Sequence, residues 1–220
     1  MSTVFVVGYT GATGKAVVNK LFHEESFKRI VLIGRRKVTL TIGDDPRFEQ
    51  KEVDFDKLDD FKDVFRGCDT GFCCLGTTRS VAGKEGFIRV DRDYVVNCAR
   101  IAKETGCRHF QVVSSTGTNK NSCLLYPKTK GEMEERITDM GFQRLTIYRP
   151  GFLLTDREET RIGEKLVMCC MFPVFKLCPT AGSVHVDLVA QAMINNAKRP
   201  FKPEGTSIIP NALIHEWAHS

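Results

Sequence analysis

Val4-Phe-Val-Val-Gly8-Tyr-Thr-Gly11-Ala-Thr-Gly14 stands at the start of the chain, and its reading decides the fold. Four apolar, mostly β-branched residues read as a buried strand, and the sequence after Gly14 reads as a helix. Between them lies Gly-x-x-Gly-x-x-Gly. Glycine there permits a tight turn, lets backbone N–H groups approach a pyrophosphate, and allows close strand–helix packing. The helix start adds its dipole and free N–H groups to the anion's cradle, and Thr10 and Thr13 can add hydroxyl contacts. A phosphate-binding P-loop is excluded, because the spacing differs and Lys15 is followed by Ala16 rather than by a magnesium-binding hydroxyl.

Working outward, apolar runs at 4–7, 30–33, 52–55, 71–75, 110–113 and 145–148 alternate with helix-like stretches near 12–24, 57–66, 87–105 and 127–140. That alternation predicts an α/β fold: a Rossmann-type, doubly wound parallel sheet built by right-handed crossovers. After Pro150 the pattern loosens. A helix (186–198) and a short strand (206–209) follow a mixed region, 151–182, which reads with the C-terminal segment as a small cap on a single domain, 1–220.

The second strand ends Gly34-Arg35-Arg36-Lys37. A coenzyme with a free ribose 2′-hydroxyl is usually held there by an acidic residue, whereas a guanidinium suits a 2′-phosphate by charge and bidentate geometry. Arg35 and Arg36 therefore predict NADP(H). Asp54, at the end of the third strand, is placed to accept from an adenine amino group. Leu75-Gly76 ends the fourth strand, where backbone passes close to the nicotinamide side.

The fifth strand closes on Ser114-Ser115, and Tyr126-Pro-Lys-Thr-Lys130 opens the next helix. Residues four apart share a helix face, so the Lys130 ammonium can stabilise a Tyr126 phenolate and ready it for proton exchange. Either serine can polarise a substrate carbonyl. The expected chemistry is hydride transfer to a carbonyl carbon of an unknown small-molecule substrate, with Tyr126 protonating its oxygen. A coenzyme-binding regulator acting through protein partners is the alternative; it would have no need of a proton donor.

Composition narrows the setting. The chain has 220 residues, 42% apolar and 27% charged, with a formal charge of +5 spread over dispersed basic residues, a solvated surface rather than a nucleic-acid face. Nine cysteines, several inside apolar runs, together with strand-like sequence from Thr3, predict a reducing cytoplasmic setting without a signal peptide. The longest apolar stretch, 166–175, is too short to span a bilayer and reads as packing of the cap. The expected state is a monomer, or a homodimer cross-linked on oxidation of an exposed cysteine. His215-Glu-Trp-Ala-His219 has zinc-protease spacing, but a frayed terminus and the lack of a third ligand argue against a metal. His109 reads as a structural histidine.

With these pieces placed, the sequence resembles the atypical short-chain dehydrogenases/reductases of the Tat-interacting oxidoreductase type. The resemblance rests on 31–37, on Val53-Asp54-Phe55, on Gly71-Phe-Cys-Cys-Leu-Gly-Thr-Thr-Arg79, on Val90-Asp91-Arg-Asp-Tyr-Val95, on Arg149-Pro-Gly151 and on Gly163-Glu164. It implies that Thr10, Gly11, Ala12 and Thr13 line the pyrophosphate, beside Gly8 and Gly14. It also implies that Tyr126 is the proton donor with Lys130 reaching the nicotinamide ribose, that Leu153 lies beside the carboxamide, and that Arg161 descends from the cap. Its pattern favours Ser114 of the serine pair. It further implies contacts with nuclear transport receptors and a location extending to the nucleus or nuclear envelope. Where many members of that class carry an Asn supporting a relay water, this chain has Asp91.

Overall fold

The computed structural model describes residues 2–155 and 182–220. Seven strands form one parallel sheet in the order β3-β2-β1-β4-β5-β6-β9: β1 (Ser2–Val7), β2 (Phe27–Gly34), β3 (Phe48–Glu52), β4 (Thr70–Cys73), β5 (His109–Val113), β6 (Arg144–Arg149) and β9 (Gly205–Pro210). Strand order reverses between β1 and β4, and it is outside the carboxyl ends at such a switch point that open α/β sheets bind ligands. β7 (Phe152–Leu154) and β8 (Ser183–His185) make a separate parallel pair.

Helices cover both faces, which is why β1 and β2 are apolar without alternation. On one face Val4, Val6 and Leu32 pack with α1 (Ala12–Phe22), α5 (Val186–Lys198) and α6 (Asn211–Ala218). On the other, Phe5, Val7, Val31 and Ile33 pack with a 3₁₀ segment (Phe55–Phe65), α3 (Val95–Glu104) and α4 (Leu125–Asp139). Polar groups on the first face form a closed network: Asn196 Nδ2 lies 2.9 Å from the Tyr148 hydroxyl and 3.1 Å from Thr146 Oγ1, and the Tyr148 hydroxyl donates to Gln111 Oε1 at 2.6 Å. Buried polar groups persist when paired in this way.

The doubly wound sheet expected from the sequence is present, with three differences. The third strand runs Phe48–Glu52, four residues earlier than its apolar signal. As an edge strand it needs little apolar character, and Asp54 instead caps the 3₁₀ segment by accepting from Asp56 N at 2.9 Å. The helix expected over 87–105 is composite: α2 (Arg79–Ile88) breaks at Gly83 (φ +70), a π-helical turn spans Arg89–Tyr94, and α3 follows. The C-terminus is not frayed. Ile214 is buried, and Asn195 Nδ2 donates to Trp217 O (2.9 Å) and Ser220 O (3.0 Å), stitching the end of α6 to α5. Most of the expected cap, with its apolar run at 166–172, lies outside the described residues.

Candidate active site

The glycine loop has the conformation its spacing predicts. Gly8 sits at φ +79, and a Cβ there would meet Cys74 O at 2.6 Å; a Cβ on Gly14 would meet Gly8 O at 2.2 Å. Neither position tolerates a side chain. Gly11 N donates to Gly8 O at 3.0 Å and closes the turn. Gly11 is also the N-cap of α1 and offers no side-chain cap, so the first-turn N–H groups remain for an anion. Orphan donors over a floor that excludes Cβ atoms fit a dinucleotide pyrophosphate.

Tyr9 joins this loop to the end of β2. It is buried, and its hydroxyl lies 2.9 Å from both Arg36 O and Gln50 Oε1. Its ring fills the space a side chain at Gly34 would need (2.7 Å). Burial first, then Glu52, pushes its pKa up against the pull of Arg36. Beside it opens a cleft of about 180 Å³ bordered by Thr10, Lys15, Arg36 and Thr39. Lys15 and Arg36, with threonine hydroxyls beside them, suit one end of this otherwise partly apolar cleft to phosphate.

Across the switch point, Tyr126 occupies the first turn of α4. Pro127, also in that turn, costs no helical hydrogen bond. The phenol is 47% exposed and its ring stacks on Phe87 of α2 at 5.5 Å. One turn deeper, Lys130 is buried and its Nζ lies 2.8 Å from Asp91 Oδ1. The π-helical turn delivers Asp91, itself buried, and its other oxygen accepts from Thr77 N at 2.8 Å. Burial acts against the Lys130 charge, but Asp91 and the Tyr126 oxygen outweigh it and hold the lysine's pKa above its ordinary value. One buried carboxylate thus ties the lysine to the loop after β4.

A further turn along the same face, Glu134 is buried and gathers Ser114 Oγ, Thr118 Oγ1 (3.1 Å) and the Arg149 guanidinium. The ion pair pushes the Arg149 pKa up, against its desolvation. Ser114 is therefore buried and engaged from below. Ser115 is half-buried, and its hydroxyl meets only Thr116 O, at 3.1 Å, among the described residues.

These features have relatives. A sequence profile described as NAD(P)H-binding matches residues 8–200. Protein HTATIP2 of Rattus norvegicus is 41% identical over 213 residues, covering 97% of this chain and 88% of the rat protein. The chain belongs to the NAD(P)H-binding family, in its HTATIP2 branch. Another relative of this HTATIP2-type chain, fmp52 of Aspergillus niger, carries "mitochondrial" in its name and is 30% identical over 210 residues, covering 89% of this chain and 86% of the fungal one. Among solved structures, a UDP-glucuronic acid 4-epimerase of Bacillus cereus, in complex with UDP-glucuronic acid and NAD, matches with TM-score 0.71 at 12% identity, covering 94% of this chain and 76% of that one. At that identity the likeness is one of fold.

In this HTATIP2-type chain, Gly8, Thr10, Gly11, Ala12, Thr13, Gly14 and Arg36 border one side of the switch point, and Leu75, Gly76, Tyr126 and Lys130 border the other. Arg35 is exposed, as Arg36 is, and does not line the cleft beside Tyr9. Asp54 is exposed and spends one oxygen on its cap. Leu153 is 40% exposed on β7, and Arg161 lies outside the described residues. Sequence reasoning passed over Lys15 as a phosphate ligand and over Glu134. The signal for Glu134 was present, since 126, 130 and 134 repeat at four-residue spacing. His215 Nε2 lies 3.0 Å from Ser183 O, which gives that histidine a structural role. Of the described cysteines, Cys123 is exposed. No helix among the described residues is long and apolar enough to cross a membrane.

Proposed function

We propose that this chain is an NADPH-dependent oxidoreductase that reduces a carbonyl group. The observation that carries the reading is the exposed Tyr126 phenol standing over a buried Lys130–Asp91 ion pair that is bonded to the loop after β4. A bound nicotinamide coenzyme supplies the hydride to the carbonyl carbon. Tyr126 gives its proton to the carbonyl oxygen, and the Lys130 ammonium stabilises the phenolate left behind. Asp91 keeps that ammonium charged although it is buried. Ser115 polarises the carbonyl, because Ser114 is committed to Glu134, which makes Ser114 part of the support beneath the site. Lys15, Arg35 and Arg36 favour the 2′-phosphate of NADPH over the free hydroxyl of NADH. A proton donor so placed is a feature of turnover, and it favours an enzyme over a pure coenzyme sensor.

The test is Tyr126→Phe assayed for NADPH consumption against a panel of aldehydes, ketones and quinones, with coenzyme binding followed by fluorescence. The expected outcome is turnover reduced at least about 100-fold, the usual range for a general acid, with NADPH affinity unchanged. Equal turnover in the variant would sink the assignment.

A further inference from the structure

The amino-terminal edge of the sheet, opposite the switch point, carries a second cleft of about 250 Å³. It opens where β1, β4, β5 and β6 begin, beside the end of α5, and Arg108, Arg144 and Arg199 line it. The three come from three separate elements, and each is held in place. Arg108 lies over the Phe201 ring at 4.7 Å and pairs with Asp69 at 3.2 Å. Arg199 lies over the Trp217 ring at 4.9 Å. Arg144 is 2% exposed and anchored by one hydrogen bond, its Nη2 donating to Asn196 Oδ1 at 2.7 Å.

Arg144 Nε is buried and has no hydrogen-bond partner among the described residues. The nearest carboxylate is Glu204, about half exposed, whose Oε2 stands 3.4 Å away without making a hydrogen bond. A buried guanidinium N–H left unbonded is costly, and the side chain that carries it lines a cleft with two further arginines. His109, also on the lining, adds no charge at neutral pH, since it is buried and hydrogen-bonded to Thr146 Oγ1 at 3.1 Å. Three guanidinia set against Asp69 and Glu204 leave a cationic excess in a space larger than a single water needs.

We propose that this cleft is a second ligand site, for a small phosphate-bearing anion, on the side of the molecule opposite the coenzyme. A tetrahedral oxyanion offers oxygens in several directions at once and so serves three guanidinia from three elements, where a planar carboxylate serves one or two. Glu204 occupies the approach to Arg144 Nε with poorer geometry, and an incoming phosphate displaces it. Burial, reinforced by Arg199 and opposed by Glu204, holds the Arg144 pKa below its ordinary value, consistent with an under-compensated cation.

Two surface substitutions test the site in opposite directions, and neither replaces the buried arginine. The full chain is titrated with inorganic phosphate against chloride at constant ionic strength, reading the arginine ¹⁵Nε resonances and the thermal midpoint. The expected result is saturable binding that shifts the Arg144 Nε signal. Arg199→Gln should weaken it about fivefold or more, on the scale of a lost charge-assisted contact, and Glu204→Gln should tighten it. A non-saturating response equal to that of chloride would overturn the proposal, as would midpoints indifferent to both substitutions. Binding abolished by Arg36→Gln but untouched by Arg199→Gln would place the phosphate at the glycine loop and overturn it equally.

Discussion

Asp91 meets two demands with two oxygens: one holds Lys130 Nζ, the other holds Thr77 N. Asp91→Asn keeps the shape and an acceptor for Thr77 but removes the charge. Burial then dominates at Lys130 and its pKa falls, since Asp91 is what lifts it. The expected outcome is a loss of kcat of about tenfold or more, with the alkaline limb of the kcat–pH profile displaced toward lower pH and NADPH affinity nearly constant. Stability should also fall by about 3 kcal/mol, the low end for removing one partner of a buried pair, so the displaced limb is the readout that separates positioning from bulk destabilisation. At this scale the sequence was informative where spacing alone encodes geometry, as for Tyr126 and Lys130. Glu134 shares their spacing, yet its role depends on Ser114, Thr118 and Arg149 arriving from other elements, which no local pattern records.

Among the elements, α4 determines where Tyr126, the proposed proton donor, stands, and Gly131 determines how closely α4 approaches the preceding loop. A Cβ on Gly131 would lie 2.3 Å from Lys120 N and 2.6 Å from the Asn119 carbonyl carbon. Backbone cannot yield as a side-chain tip can. Gly131→Ala gains about 1 kcal/mol of helix propensity but meets an overpacking cost of about 1–3 kcal/mol, so the thermal midpoint should fall despite the better helix former. Turnover should fall with it while coenzyme binding is retained, because the glycine loop is remote from the displacement. A midpoint above that of the parent chain would refute the close approach. The elements that pattern reasoning placed well are those buried on both sides, such as β1 and β2, where desolvation dictates composition. It misplaced β3 because an edge strand is free of that demand, and it missed α6 because Asn195 and Ile214 secure that helix through tertiary contacts.

For the molecule as a whole, His109 sets an acid limit. Burial, with Arg144 adding to it, pulls its pKa down to about 3 from an ordinary 6.5. The unfolded chain takes up this proton near pH 6.5 and the folded chain does not until near pH 3. Stability from this group is therefore complete above pH 6.5 and is lost progressively as pH falls toward 3, with a slope approaching about 1.4 kcal/mol per pH unit. Urea unfolding from pH 7 to pH 4 should show a steeper decline for the parent than for His109→Gln, and parallel curves would contradict the burial of a neutral imidazole.

The two faces of the sheet also differ in when they can close. One apolar cluster draws on residues from Phe5 to Ile147, whereas the other includes Val4 and Val6 yet needs residues as late as Ala218. During synthesis the first can collapse while roughly 70 residues of the second are still to be made, an interval of roughly 4–14 s at translation rates of about 5–20 residues per second. Throughout that interval the nascent chain presents the other side of β1 and β2 covered by α1 alone, so a chaperone binding there would find its target before the polypeptide is complete and lose it only when α5 and α6 emerge.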